Sequence, residues 1–172
     1  MDTFFEQIVP MKKTGSQLAA AVALWLAAGL IAAASLLIFI GYVGVFAVVI
    51  AGGAGYGAWF LSGNFSVEYE YSVTNGFFDI DRIVARRRRR RALSFECKDV
   101  EAIGKYNPVE HQNRNYQKRV IAGNVEENTW YLTFRHKEFG QTLVVFQPDG
   151  RVLEAVKKAL PRLVAKDAFG WN

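Results

Sequence analysis

LAAAVALWLAAGLIAAASLLIFIGYVGVFAVVIAGGAGYGAWFL, running from Leu18 to Leu61, is almost wholly apolar and lies inside a longer stretch, Thr14 to Val67, with no charged side chain. At about 1.5 Å per helical residue, the 44 residues would form a rod of about 66 Å, roughly twice the ~30 Å hydrocarbon core of a bilayer. The run must therefore fold back once. The break falls at Gly41-Tyr42, with Gly44 just beyond, which predicts two spanning helices, Leu18–Ile40 and Val43–Leu61. A secretory signal has a shorter apolar region, a cleavage site and no second apolar run directly behind it, so the first span is expected to remain in the chain.

Helices approach closely in lipid through small residues, and the spans offer Gly29-x-x-x-Ala33 and Gly53-x-x-x-Gly57; these four are expected to pack the hairpin. Neither span contains Asp, Glu, Lys, Arg or His, the groups that mark ion paths and proton relays, which argues against a transporter or channel. The cluster Gly52–Gly57 lacks the strand-to-helix setting of a nucleotide loop. Trp25, Tyr42, Tyr56 and Trp59 suit interfacial or packing roles.

Residues 1–17 form a juxtamembrane segment. Phe4, Phe5, Ile8 and Val9 recur at helical spacing, with Asp2 or Thr3 as a cap, so the segment is either a short helix at headgroup level or a frayed terminus. All but Lys12 and Lys13 of the 21 Lys and Arg, and all but Asp2 and Glu6 of the 16 Asp and Glu, follow the second span. Lys and Arg beside short loops stay in the cytoplasm, and the predicted turn has none. Both termini are therefore expected inside a bacterial cytoplasmic membrane crossed twice. Cys97 is the only cysteine, which excludes an intramolecular disulfide or a multi-cysteine metal site.

From Ser62 to Asn172 the chain is expected to make one soluble domain with its own core. Val67, Tyr69, Tyr71 and Val73 alternate with Glu68, Glu70 and Ser72, the pattern of a half-exposed strand. Asn75-Gly76 is a preferred two-residue hairpin turn, because both residues tolerate positive φ, and it leads into Phe77–Val84. This register sets Val73 against Phe78 and Tyr71 against Ile80 on the apolar face. On the other face Ser72 meets Asp79 and Glu70 meets Asp81, an opposed like-charge pair that calls for cations alongside.

The next strand starts within Arg87–Arg91 and runs to about Cys97. By parity Arg88 and Arg90 share the outward face and are expected to neutralise Glu70, Asp79 or Asp81. Unless a bulge resets the register, Arg89 and Arg91 are expected at the rim of the core, with guanidiniums reaching water or phosphate. Val100–Tyr106, Trp130–Arg135 and Leu143–Phe146 are further strands, the last two joined around Phe139-Gly140-Gln141. The weakly patterned Asn107–Asn128 suggests loop, with a short strand at Val120-Ile121-Ala122. Asp149 caps a helix whose apolar face is Val152, Ala155, Val156, Ala159, Leu160 and Leu163, with a kink or end near Leu160 imposed by Pro161.

Two spans, the hairpin Tyr69–Asp81, a basic strand, Asp99–Ile103 and a terminal amphipathic helix resemble bacterial membrane-anchored PH-like (pleckstrin-homology-like) proteins, a family of largely unassigned function. The resemblance covers about Leu18–Val164. It implies an α+β chain: a two-helix transmembrane hairpin, then an antiparallel β-barrel or pair of orthogonal sheets with a C-terminal helix. Lipid-binding PH domains carry basic residues around the first hairpin loop, whereas Asn75-Gly76 has no cation.

Candidate catalytic groups are sparse. His111, His136 and Cys97 show no motif spacing, and Asp79-x-Asp81 lacks a third metal ligand. No enzyme, cofactor or metal is expected. The run Arg86, Arg87, Arg88, Arg89, Arg90 and Arg91 has three readings: a solvated, topology-setting strand edge, a contact with anionic lipid headgroups, or a protein or nucleic-acid surface. For the last, no nucleic-acid-binding fold signature accompanies the charge. The sequence thus leads to a non-enzymatic binding or assembly module, with membrane lipids and a protein partner or second copy as its contacts. The alternative is an accessory subunit of a membrane enzyme or transporter complex.

Overall fold

The computed structural model describes residues 4–38, 44–126 and 128–170. The chain separates into two compact units. One comprises the residues up to Met11, Glu68–Ile83 and everything from Arg88 onward; the other comprises Lys12–Val67 with Val84–Arg87. The turn expected at Gly41-Tyr42, the start of the second span at Val43 and the Asp2 or Thr3 cap lie outside the described residues.

In the helical unit, α1 (Gly15–Ile38) and α2 (Gly44–Gly63) are long and apolar enough to cross a membrane, at about 36 Å and 30 Å. Their surfaces are apolar and open, with Leu30 at 72% and Leu37 at 75% exposure. The helices pack through alanines. Ala28 and Ser35 are buried on α1, flanked by half-buried Ala21, Leu24 and Ala32, against buried Ala47 and Ala58 and half-buried Ala51 and Ala54 on α2. The Ser35 hydroxyl donates to the Ala32 carbonyl of its own helix at 2.8 Å and lies 3.3 Å from the Ala47 carbonyl across the seam. This corrects the expectation for Gly29, Ala33 and Gly53, which are exposed off the seam, and for half-buried Gly57, where an added Cβ would meet nothing. Alanine suffices where one methyl group separates the backbones, and its three- and four-residue spacing makes the stripe.

The other unit holds two four-stranded sheets. The first has the order β1 (Phe4–Pro10), β2 (Val67–Thr74), β3 (Phe77–Val84), β4 (Arg88–Glu96). The second runs β5 (Val100–Lys105), β7 (Trp130–His136), β8 (Gly140–Phe146), β6 (Lys118–Ile121), in which β6 lies parallel to β8. The architecture is two packed sheets, the second mixed, and not a closed barrel. The Asn75-Gly76 turn forms as predicted, with φ of 48° and 86°. Between β5 and β6 lies a short helix, α3 (Pro108–Gln112), where the sequence suggested loop. Asn107 caps it by accepting from the Val109 N–H, and Pro108 stands at its first position.

At the C-terminus, α4 (Gly150–Ala159) is capped by Asp149, whose carboxylate accepts from the Val152 N–H at 2.8 Å. Pro161 ends α4 as expected and opens a separate helix, α5 (Arg162–Phe169).

Aromatic rings knit the two sheets together. Phe78 lies 5.3 Å from Phe95 and 5.5 Å from Phe146, and Phe95 stacks on Phe134 at 4.2 Å. The buried Tyr71 hydroxyl donates to the Ala122 carbonyl at 2.6 Å and accepts from the Gln147 N–H at 3.2 Å, so one side chain of the first sheet satisfies two backbone groups beside the second.

The N-terminal segment is a correction. Phe4–Pro10 is neither a headgroup helix nor a frayed end but a strand paired antiparallel with β2, from Phe4 opposite Thr74 to Pro10 opposite Glu68. Val9 enters the core. The Gln7 side-chain amide donates to the Gln147 carbonyl and accepts from the Asp149 N–H, and Asn124 donates to the Pro10 carbonyl. The apolar helices are thus inserted between two neighbouring strands of one sheet, and residues 62–172 lack one strand of their fold.

Because Pro10 and Glu68 are register partners, a short turn should replace the helices altogether. A chain joining Met11 to Val67 through about four Gly-rich residues is expected to be soluble, with a sheet-dominated circular dichroism spectrum and a cooperative melt. Residues 62–172 alone, with the β2 edge and the Gln147 and Asp149 backbone groups unpaired, should melt several degrees lower. Equal melting temperatures would contradict the structural role of β1.

Candidate functional site

The six arginines divide between the two units. Arg89 and Arg91 extend from β4 over the outward face of the first sheet, where β2 and β3 present carboxylates. Arg89 pairs with Glu70 and, through Nε at 2.9 Å, with Asp81; Arg91 pairs with Asp79 at 3.3 Å and Asp81 at 3.2 Å. The Ser94 hydroxyl donates to Asp79 at 2.5 Å. The opposed carboxylates Glu70 and Asp81 are thus bridged by one guanidinium. The parity expectation is reversed: it is Arg89 and Arg91 that do the neutralising. Leu93 points into the core, and Arg91 shares the outward face with Ser94, so the alternation of faces slips by one residue between Arg91 and Leu93. Two of the six candidate headgroup contacts are therefore already engaged within the sheet unit.

Glu70 is 3% exposed. Burial, followed by its hydrogen bond to Glu6, raises its carboxyl above the usual carboxylate range, and Arg89 opposes that rise. Deprotonated Glu70 is tolerated because Arg89 reaches it.

Arg86 and Arg87 belong to the helical unit. Val84–Arg87 is a β-turn closed by the Arg87 N–H on the Val84 carbonyl at 3.1 Å, and both central residues are left-handed, Ala85 at φ 55° and Arg86 at φ 54°. Neither is Gly or Asn, so the turn carries strain of about 1–2 kcal/mol per residue. The Ala85 N–H donates to the Ser66 carbonyl at 2.8 Å and ties the turn to the segment following α2. Arg87 lies over the rings of Phe60 at 4.5 Å and Trp59 at 5.3 Å, and its Nη2 donates to the Phe60 carbonyl at 3.4 Å. A cation at a helix C-terminus offsets the exposed carbonyls. Gly63 permits this approach, since a Cβ there would lie 2.9 Å from Arg87 Nη2. Tyr56 packs on both Trp59 and Phe60. Trp59, Gly63, Ser66, Ala85, Arg86 and Arg87 line a cleft of about 490 Å³.

A second hollow, about 370 Å³, lies between the Asn75-Gly76 turn and α4, floored by Phe5, Val73 and Ala155 with Arg151 and Lys158 at its rim. The cations near this turn come from the helix some 75 residues later, which no local pattern reveals; Arg151 is paired with Asp149 at 3.2 Å.

The potential catalytic groups are packed as structure. Cys97 is fully buried, which pushes its thiol up to about 12 and keeps it protonated at neutral pH. His111 is enclosed by Tyr106, Tyr116 and Tyr131, the last with ring centroids 4.2 Å apart; its Nδ1 shares a hydrogen bond with the Tyr116 hydroxyl at 2.8 Å. Its Nε2 is buried with no hydrogen-bond partner among the described residues. Burial, followed by the nearby charge of Arg114, lowers its pKa. Among the described residues no group of three His, Cys, Asp or Glu side chains could hold a metal ion.

A family model described as "Bacterial PH-like domain (DUF6106)" matches residues 1–166. No curated protein and no solved structure matches the chain.

Two outcomes follow from these charges. Arg89→Gln should lower the melting temperature well beyond Arg88→Gln or Arg90→Gln, because it strands a buried carboxylate, and adding Glu70→Gln should restore much of the loss. A folded-state pKa below the unfolded His value of about 6.5 means that His111 stabilises the fold above that pH, and that this stability is lost as pH falls through the folded pKa. The melting temperature should fall between about pH 7 and pH 5, less steeply in His111→Gln; parallel profiles would absolve His111.

Proposed function

The chain belongs to the bacterial PH-like domain family, and on that premise we propose that it is a non-enzymatic binding or assembly module anchored in the bacterial cytoplasmic membrane. Its two apolar helices cross the bilayer, and both termini, with the PH-like domain, lie in the cytoplasm. The observation that carries this reading is the pairing of Pro10 with Glu68. The helices leave and re-enter the sheet at adjacent points, so the inserted segment must begin and end on one side of the membrane, which requires an even number of crossings. The open apolar flanks of α1 and α2 suit lipid and not water.

Charge gives the direction. Lys12 and Lys13 precede α1, and Arg82 and the arginine run follow α2, so the positive residues flank the hairpin on the side assigned to the cytoplasm. The tyrosine-enclosed His111 and the protonated, buried Cys97 support binding and assembly over catalysis. Anionic headgroups are the natural contact for the arginines outside the carboxylate face, at about 1 kcal/mol for each cation near such a leaflet.

Reporter fusions at each terminus test the proposal. Activity of a cytoplasm-dependent reporter at both ends, and of a periplasm-dependent reporter at neither, is expected. Periplasmic activity at either end would overturn the topology and, with it, the assignment of the domain to the cytoplasmic face.

A further inference from the structure

We propose that the free edge of β1 receives an extended segment of a partner protein as an added strand, with one large apolar side chain of that segment seated in the hollow between β1 and α4. The inference rests on the binding-module reading and names the surface and the kind of partner that the reading leaves open.

The edges of the two sheets are not alike. An unpaired strand edge is a template for another extended chain, and proteins blunt it with charge, shortness or a covering element. β4 opens with four arginines, β6 is four residues long, and α5 packs on β5. β1 lacks these devices along most of its length. It runs seven residues, Glu6 is its one charged side chain, and Pro10 stands at its very end. Its backbone bonds to β2 along one edge. Beyond those bonds, among the described residues, the one further partner of a β1 backbone group is the Asn124 side-chain amide on the Pro10 carbonyl.

Side chains on both faces suit an added strand. Phe4 and Ile8 are 60% and 53% exposed on the outward face, where cross-strand neighbours on the new strand cover them. A residue placed beside Phe5 points the other way, toward the hollow of about 370 Å³ that Phe5, Val73, Ala155 and Ala159 help to line. Leucine or an aromatic ring fits there.

The occupant follows from the backbone. Free N–H and C=O groups along a strand bond another extended chain, which sets aside a helix or a lipid headgroup. A second copy is a poor fit as well. Two identical edges related by a two-fold axis pair antiparallel, and each β1 leads from Pro10 into α1, so the two hairpins leave the paired strands at opposite ends and in opposite directions. That arrangement works against a shared bilayer, whereas a partner's segment carries no such constraint.

The test selects a display library of random peptides, each about twelve residues long, on the full chain in a non-ionic detergent, after depletion on a variant carrying both Phe4→Lys and Ile8→Lys. Enriched peptides should carry alternating apolar residues and no central proline, since proline cannot donate to a ladder. The tightest should slow hydrogen exchange at alternate amides of β1, and methylating its alternate backbone nitrogens should cost about tenfold or more in affinity. The lysine variant, changed only at exposed side chains, should fold and bind the peptide about threefold to tenfold more weakly, the loss of two cross-strand pairs. Ala159→Leu fills the hollow without touching the edge. It should weaken peptides with a bulky central residue and spare the same peptides with alanine there. Failure to enrich, protection away from β1, or indifference to backbone methylation would overturn the added strand, and indifference to Ala159→Leu would remove the hollow. Protection of β1 that grows with the chain's own concentration, without peptide, would make a second copy the occupant and overturn the partner. Any of these with cytoplasmic termini intact defeats the edge and spares the anchored module, whereas failed topology fusions defeat the module's placement whatever the library yields.

Discussion

The antiparallel pairing of β1 with β2 is the constraint on which the rest of the structure depends. Seven residues before the helices and seven after them form one ladder, with some sixty residues of intervening chain. Closing so long a loop costs entropy that grows only slowly with its length, and an insertion that folds on itself adds little further cost. The ladder returns more than its own hydrogen bonds. It places Val9 in the core, sets Gln7 against the backbone leading into α4, and removes the exposed edge that β2 would otherwise present. A membrane hairpin inserted at this point is bound to the sheet at both of its ends.

The two faces of the first sheet are held by different physics. Inward, Tyr71, Phe78 and Ile80 join a core that both sheets share, where apolar burial and ring contacts dominate. Outward, carboxylates from adjacent strands lie close enough to repel, and the sheet is stable there only because β4 carries guanidiniums across it. A salt bridge in open solvent contributes little, but Glu70 is buried, and a buried carboxylate without its partner is a liability of a different order. The arginine run is therefore part of the fold before it is part of any surface.

Much of this was legible in the sequence because the signals were local. The uncharged run, the Asn75-Gly76 turn, the alternation through Tyr69–Val73, the Asp149 cap and the Pro161 break each depend on a few neighbouring residues. The failures share the opposite property. Phe4, Phe5, Ile8 and Val9 fit a helical spacing, and the strand they form is dictated by a partner 60 to 70 residues away. The parity of the arginines held only in the absence of a bulge, and the one-residue slip between Arg91 and Leu93 is announced by no residue type. The hairpin seam was assigned to Gly29, Ala33, Gly53 and Gly57, although a different stripe, through Ala28, Ser35, Ala47 and Ala58, serves. Only α3 carried a local signal that went unused, in Asn107-Pro108 as cap and first position. The cleft beside α2 depends on a turn whose left-handed residues, Ala85 and Arg86, are types that seldom adopt that conformation.

Arginine, and not merely positive charge, is what the run requires. Arg89 reaches Glu70 and Asp81 at once and Arg91 reaches Asp79 and Asp81, each using separate nitrogens of one planar fork. A lysine ammonium is a point charge that would serve one carboxylate well and leave its neighbour repelled. The same planarity lets Arg87 lie over Phe60 and Trp59 while its edge donates to a carbonyl. Within one run of six identical residues, Arg89 and Arg91 bridge carboxylates on a sheet and Arg87 closes the end of a helix. The tasks share a chemical demand that leaves lysine a poor substitute at the positions that carry them.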